Sequence, residues 1–159
     1  MLRHSSLGDQ FEIRAIDTHR VGTIAQKLRR AAAGLTCGTW LLLRRWPDIV
    51  WLHVAADASF WRKGILVLIA RALRTPSVLH VHGGTFTDWY DDLGAPARRA
   101  AQMILRRTDL IITLSPIWQE RLAEIVARPN AAIMNPVEVP EVLPDVPRVA
   151  GRVVCLGRV

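Results

Sequence analysis

The chain has 159 residues, and half of them are hydrophobic, which is enough for one folded domain and excludes a disordered or low-complexity protein. Its formal charge is +7, and all of its 21 basic residues except Lys27 and Lys63 are arginines. This charge favours a partner with phosphate or carboxylate groups without selecting one. We expect neither a secretory signal nor a membrane-spanning helix, since no apolar run approaches the roughly 20 residues that a span requires.

The first third of the chain predicts a strand, a helix and a second strand. Apolar and polar residues alternate over residues 11–16, and apolar residues recur at helical spacing over residues 23–45. Gly34 and Gly38 are expected to bend or divide this helix. Residues 49–54 are almost continuously apolar, which is typical of a strand buried inside a parallel sheet.

The alternation of helix and strand continues through the middle of the chain. Ser59 is placed to cap a helix over residues 60–73, and residues 77–82 predict a strand that Gly83 and Gly84 close. The segments predicted after it are a loop over 85–94, a helix over 96–107, a strand over 109–114, a helix over 116–127 and a short strand over 131–134. Strands separated by such helices predict an α/β fold with a Rossmann-like, doubly wound, mostly parallel sheet.

The composition changes after residue 134. Residues 135–150 are rich in proline and predict an interdomain linker, and residues 151–159 predict the first strand of another domain. The Rossmann-like domain is therefore assigned to residues 1–134. Cys37 and Cys155 lie far apart without a zinc-type spacing, so a reducing, cytoplasmic setting is expected.

Candidate functional residues follow the predicted strands. Ligands bind beyond the carboxyl ends of the strands in an open parallel sheet. His53 ends one strand, His82 ends the next, and Ser115 follows the third. Gly83 and Gly84 let a ligand approach the main chain beside His82. A histidine there can hold or deprotonate a hydroxyl group near neutral pH.

Two alternatives apply to the histidines. His53 and His80 could instead face the core with their ring nitrogens satisfied. A metal site is the second alternative, because strand alternation places His80 and His82 on the same face. No carboxylate or cysteine stands at a supporting spacing, so we expect no metal.

Six short segments occur in the order seen in family-4 (group 1) glycosyltransferases. They are residues 48–53 (DIVWLH), 58–63 (ASFWRK), 80–84 (HVHGG), 107–118 (RTDLIITLSPIW), 135–137 (NPV) and 156–158 (LGR). The chain resembles the amino-terminal, acceptor-side half of these GT-B enzymes, in which two Rossmann-like domains face each other across a cleft.

The resemblance implies roles for individual residues. His82 matches a histidine near the transferred sugar and is the expected catalytic residue. Gly157 and Arg158 match a pair whose arginine faces the donor phosphates. The residues expected to bind the acceptor or the sugar, from the resemblance and the strand ends together, are His53, Gly83, Gly84 and Ser115.

Two parts of the family pattern are missing. No first strand with a glycine-rich loop precedes residue 11, and the donor domain with its Glu-x7-Glu pattern is absent. We therefore expect a glycosyltransferase fragment that is inactive alone. The intact enzyme would transfer a sugar from a nucleotide-sugar donor to a glycan or lipid-linked acceptor hydroxyl, with retention and without a cofactor. The alternative is a non-catalytic α/β module, or half of a split enzyme that a partner chain completes.

Four arginine pairs carry much of the charge. They fit solvated helix faces, or a basic surface drawn to anionic lipids at the inner face of the plasma membrane. The pairs are residues 29–30, 44–45, 98–99 and 106–107. Four tryptophans fit such an interface or core packing, namely Trp40, Trp46, Trp61 and Trp89. No nucleic-acid-binding motif accompanies the arginines, so no nucleic-acid partner is expected.

Overall fold

In the computed structural model, residues 10–18, 22–82 and 84–135 are described. The strands among them are β1 (Val50–Val54), β2 (Ser77–Val81), β3 (Leu110–Thr113) and β4 (Asn130–Ala132). The helices are α1 (Ile24–Leu43), α2 (Ala58–Ala72), α3 (Phe86–Asp91), α4 (Ala95–Arg107) and α5 (Pro116–Ile125). The predicted linker and second domain lie outside these residues, apart from Asn135.

The four strands form one sheet in the order β1-β2-β3-β4, and every neighbouring pair is parallel. The register places His53 opposite His80, and His80 opposite Ile112. The carboxyl ends of β1, β2 and β3 therefore share one edge, as the sequence predicted. The α/β class with a Rossmann-like parallel sheet is confirmed.

The main hydrophobic cluster lies on one face of this sheet. Side chains alternate along a strand, and the strand residues of the buried core cluster share that face: Leu52, Val54, Leu79, Val81 and Ile111. Helices α1 to α5 all contribute to the same cluster. Right-handed crossovers between sequential strands are expected to return α2 to α5 to one side of the sheet. The opposite face carries other side chains, which include the buried Val78 and Ile112 and three histidines.

Helix α1 is continuous, so the prediction that Gly34 and Gly38 bend or divide it was wrong. Both glycines instead allow close packing. A Cβ atom on Gly34 would lie 2.8 Å from Cγ2 of Thr18, and one on Gly38 would lie 3.2 Å from Cδ2 of Leu66. The two glycines thus let α1 pack closely against α2 and against the segment that precedes α1.

Three further predictions of local structure were wrong. Residues 12–18 contain no strand, because the alternation there buries no face and Phe11 is exposed. The segment 85–94 is not wholly loop, since α3 forms within it and buries Phe86 and Tyr90, four residues apart. Ser59 does not cap α2, because the helix begins one residue earlier, at Ala58.

The aspartate of the DLIITLS segment joins β2 to β3 at their amino ends. Oδ2 of Asp109 accepts hydrogen bonds from the Ser77 backbone N–H at 2.9 Å and from its hydroxyl at 3.2 Å. The Asp109 N–H donates in turn to the Ser77 carbonyl oxygen at 3.1 Å. Ser77 is fully buried, so Asp109 satisfies donors that water does not reach.

All four arginine pairs are exposed, which fits both alternatives, and three of them lie in α1 and α4, whereas Arg44 and Arg45 follow the end of α1. The tryptophans divide between surface and core. Trp61 and Trp89 pack against the core, whereas Trp40 is half exposed and lies beneath the guanidinium of Arg44. In the described part of the chain, none of the helices is both long and apolar enough to cross a membrane.

Candidate active site

Three histidines lie together on the sheet face opposite the core. His53 precedes the last residue of β1, His80 lies in β2, and His82 directly follows β2. The backbone N–H of His82 donates to the Val54 carbonyl oxygen at 2.8 Å, which extends the pairing of the strands beyond Val81. Parallel pairing and the period of two residues therefore bring the three rings into one row.

The rings contact one another directly. Nδ1 of His53 lies 2.6 Å from Nε2 of His82, a hydrogen bond in which one of the two nitrogens carries the proton. The ring centroids of His80 and His82 are 3.9 Å apart, and those of His53 and His80 are 5.2 Å apart. Trp51 stacks on His53 at 5.6 Å with an interplanar angle of 8°. The Trp51 ring thus packs against the His53 side of the cluster.

The surroundings keep these histidines neutral near pH 7. Burial, followed by the positive charges that His82 and His53 would carry, lowers the pKa of His80 to about 4. Burial also lowers the pKa of His53 and of His82, and His82 and Lys63 depress that of His53 further. Each neutral imidazole offers one N–H donor and one lone pair. The cluster can therefore orient a hydroxyl group or ligate a cation.

His80 is the buried member of the cluster, with only 6% of its surface exposed. Neither of its ring nitrogens has a hydrogen-bond partner among the described residues. The alternative for His80 therefore predicted its burial correctly. Its second part was wrong, because the ring nitrogens form no hydrogen bond among the described residues. A buried polar group without a hydrogen-bond partner destabilises the fold by about 1–3 kcal/mol. A ligand bound to His80 would remove this cost.

A cleft of about 470 Å³ opens beside the exposed part of the cluster. It is lined by His53, Val54, Ala55, Ser59, Arg62, Lys63 and His82. Nζ of Lys63 donates to Oγ of Ser59 at 2.9 Å, and the same oxygen accepts the Ala55 N–H at 3.2 Å. Burial and the charge of Arg62 lower the pKa of Lys63, while Asp17 raises it. Neutral imidazole rings and two positively charged side chains therefore line the same cleft.

Sequence reasoning did not assign Ser59, Arg62 or Lys63 to the site. The signal was present in segment 58–63, because a helix that follows a strand end presents its first turns to the same sheet edge. The turn before it is strained. Asp57 adopts φ 58° and ψ −137°, a region that costs a non-glycine residue about 1–3 kcal/mol and that clusters at functional sites.

The predicted site residues are only partly brought together. His53 and His82 meet, whereas Ser115 caps α5 and its Oγ accepts the Trp118 N–H at 3.3 Å. A Cβ on Gly84 would touch the Trp118 ring at 3.9 Å, so Gly84 lies beside the start of α5. Gly83, Gly157 and Arg158 lie outside the described residues. The roles of all these residues stay predictions.

A parallel sheet whose carboxyl edge carries histidines and cations around a cleft is the arrangement of a Rossmann-like ligand-binding domain. A family model described as "Glycosyl transferase 4-like domain" matches residues 2–138, and the chain belongs to this glycosyltransferase family. No curated protein and no solved structure matches the chain. The family match confirms the resemblance to a family-4 glycosyltransferase amino-terminal domain.

Proposed function

We propose that the chain forms the acceptor-side domain of a retaining glycosyltransferase, which moves a sugar from a nucleotide-sugar donor to an acceptor hydroxyl group. The observation that carries the proposal is the contact of His82 with His53, beside a cleft at the carboxyl edge of a glycosyltransferase-family domain. This edge is where parallel α/β sheets bind ligands.

In this proposal His82 contacts a hydroxyl group of the sugar. Its Nε2 faces Nδ1 of His53, which leaves Nδ1 of His82 for the substrate. Because the His82 ring is neutral near pH 7, it can accept a hydroxyl proton or donate its own, according to its tautomer. His53 fixes that tautomer and is the positioning residue.

Lys63 and Arg62 supply the charge that such a substrate needs. Nucleotide-sugar donors carry a diphosphate, and many lipid-linked acceptors carry a phosphate. The Lys63 ammonium group is held by Ser59 on the wall of the cleft, and burial together with the charge of Arg62 lowers its pKa. An anion in the cleft would stabilise both cations. We assign to them the phosphate or carboxylate group nearest the reacting hydroxyl.

The experiment requires a chain that also carries a donor-binding domain, screened against nucleotide sugars. We expect transfer in that chain and none in the 159-residue chain. His82→Ala should lower kcat/KM by about 30- to 1000-fold, equivalent to about 2–4 kcal/mol, while the melting temperature changes little. His80→Ala is the matched control at a buried position and should lower the melting temperature more than the rate.

The opposite pattern would contradict the assignment. If His82→Ala melts early but keeps its rate per folded molecule, its ring serves stability and not catalysis. If no nucleotide sugar supports transfer in the completed chain, and an acceptor glycan still binds to the 159-residue chain, the non-catalytic module is favoured. A partner chain that restores transfer would identify a split enzyme.

We further propose that the domain works at the cytoplasmic face of an anionic membrane. The first turns of α1 expose Ile24 and Leu28, with 77% and 65% of their surfaces accessible, beside the exposed Lys27. Exposed apolar groups next to cations suit a lipid interface. The chain should sediment with phosphatidylserine vesicles and not with phosphatidylcholine vesicles, and Ile24→Ser with Leu28→Ser should weaken this binding. Equal binding to both lipids would contradict the proposal.

A further inference from the structure

We propose that His53, His80 and His82 form a binding site for a divalent transition-metal ion, with zinc as the best match. The three side chains each offer a nitrogen, and these atoms all lie within 4.8 Å of one another. The metal site shares His53 and His82 with the proposed sugar site, but its test does not depend on which substrate the domain binds.

The arrangement of the strands supports the site. His80 in β2 and His82 directly after it, two residues apart, point to the same face, and the neighbouring strand β1 supplies the third ligand at the position paired with His80. Three imidazoles with an open fourth position are a recurrent zinc arrangement. Imidazole nitrogens suit zinc, copper, nickel and cobalt, whereas magnesium and calcium prefer oxygen.

The distances are compatible with small movements of the rings. A tetrahedral ion with bonds of 2.0–2.1 Å separates its ligand atoms by about 3.4 Å. The His53 and His82 nitrogens, now 2.6 Å apart, would separate by less than an ångström. The most distant nitrogens, at no more than 4.8 Å, would approach one another by up to about 1.4 Å. We expect rotations of the side chains to supply both changes.

The unpaired nitrogens of His80 are the second observation that indicates a ligand. Only 6% of the surface of His80 is exposed, so more than nine-tenths of the residue is buried. Neither of its ring nitrogens has a hydrogen-bond partner in the part of the chain that the structure describes. A cation bound between the rings would satisfy one of these nitrogens. It would also replace the proton that must now lie between His53 and His82.

Two neighbouring groups act against a bare cation. Lys63 and Arg62 line the cleft beside His53 and His82, and their charges repel a metal ion. An anion at the open fourth position, such as hydroxide or a phosphate oxygen, offsets that repulsion. The site should therefore bind zinc more tightly when inorganic phosphate is present.

The test uses the untagged 159-residue chain and Co²⁺, whose visible absorption reports tetrahedral nitrogen coordination, with Zn²⁺ as the competitor. We expect one Co²⁺ per chain, displaced by Zn²⁺, and a higher melting temperature in its presence. His53→Ala changes an exposed residue and should fold normally, yet it should weaken binding by more than about tenfold, as should His80→Ala. The matched control is the double variant His4→Ala, His19→Ala, which removes the other two histidines of the chain and should bind normally.

Three results would overturn the inference. They are an absence of Co²⁺ binding by the wild-type chain, unchanged affinity in His53→Ala, and loss of binding in the His4→Ala, His19→Ala variant. If His80→Ala does not fold, the comparison of His53→Ala with the double variant still decides. Because the readout is metal binding alone, a failure here is distinct from a failure of the proposed sugar transfer.

Discussion

Replacing Asp109 with alanine removes the carboxylate that joins the amino ends of β2 and β3. Two donors of Ser77, its N–H and its hydroxyl group, lose their acceptor in a fully buried position. A hydrogen bond to a charged acceptor contributes about 1.5–3 kcal/mol, and bonds that share an acceptor do not add in full, so we expect a loss of about 2–4 kcal/mol. That is a large share of the stability of a domain of this size.

Urea denaturation followed by tryptophan fluorescence measures this loss, and three variants resolve it. Asp109→Asn keeps an acceptor oxygen and should lose less than half as much as Asp109→Ala. Ser77→Ala removes only the hydroxyl donor and should cost about 1 kcal/mol. In the double variant the two losses should not add, with a coupling of at least about 0.5 kcal/mol.

The location of Asp109 also predicts what should not change. It lies at the amino ends of the strands, opposite the edge that carries the histidines, so Asp109→Asn should bind Co²⁺ like the wild-type chain. An Asp109→Ala variant as stable as the wild type within about 0.5 kcal/mol would refute this reasoning. So would strictly additive losses in the double variant.

Further predictions concern packing, capping and pH. Gly64→Ala places a Cβ atom 2.6 Å from Cδ1 of Ile104 and should destabilise the domain by about 1–2 kcal/mol in urea denaturation. Ile104→Val removes that Cδ1 atom and should partly relieve the loss. Strictly additive losses in the double variant would contradict this prediction. Ser115→Ala should cost about 1 kcal/mol through the lost α5 cap, whereas Ser115→Asp should not, and equal losses would count against capping. His80 has a pKa of about 4 in the folded chain against 6.5 ordinarily, so the unfolded chain binds its proton first and stability should fall by up to about 3 kcal/mol as pH drops from 6.5 to 4. Measured in metal-free buffer, His80→Gln should flatten this slope, and an equal slope would disprove the assignment.

The main strands were predictable because each is a short apolar run with breaking residues at both ends. The predicted strand 77–82 ended one residue beyond β2, and 109–114 exceeded β3 by one residue at each end. The parallel direction followed from the helices between strands, which are too long for hairpins. The strand predicted over residues 11–16 failed for the complementary reason, because alternation predicts a strand only where a partner strand or a core is available.

The contact between His53 and His82 could only partly be predicted. The sequence placed both at strand ends, and a common edge followed from the parallel topology. The register that pairs His53 with His80 depends on the length and packing of α2, which the pattern of residues does not specify. The helix inside segment 85–94 has a signal in the sequence, since Phe86 and Tyr90 stand at the helical spacing of four.

The placement of the core on one face means that a single strand encodes two independent surfaces at alternate positions. In β2 and the residue after it, Leu79 and Val81 belong to the core, while His80 and His82 belong to the candidate site. Substitutions can therefore alter the chemistry of one surface without repacking the other. A shift of one residue in the register would instead exchange the two, moving both imidazoles into the core and two apolar side chains to the face of the candidate site. Within this strand, point substitutions can therefore change the site while the core is kept, whereas an insertion or deletion would disturb both surfaces.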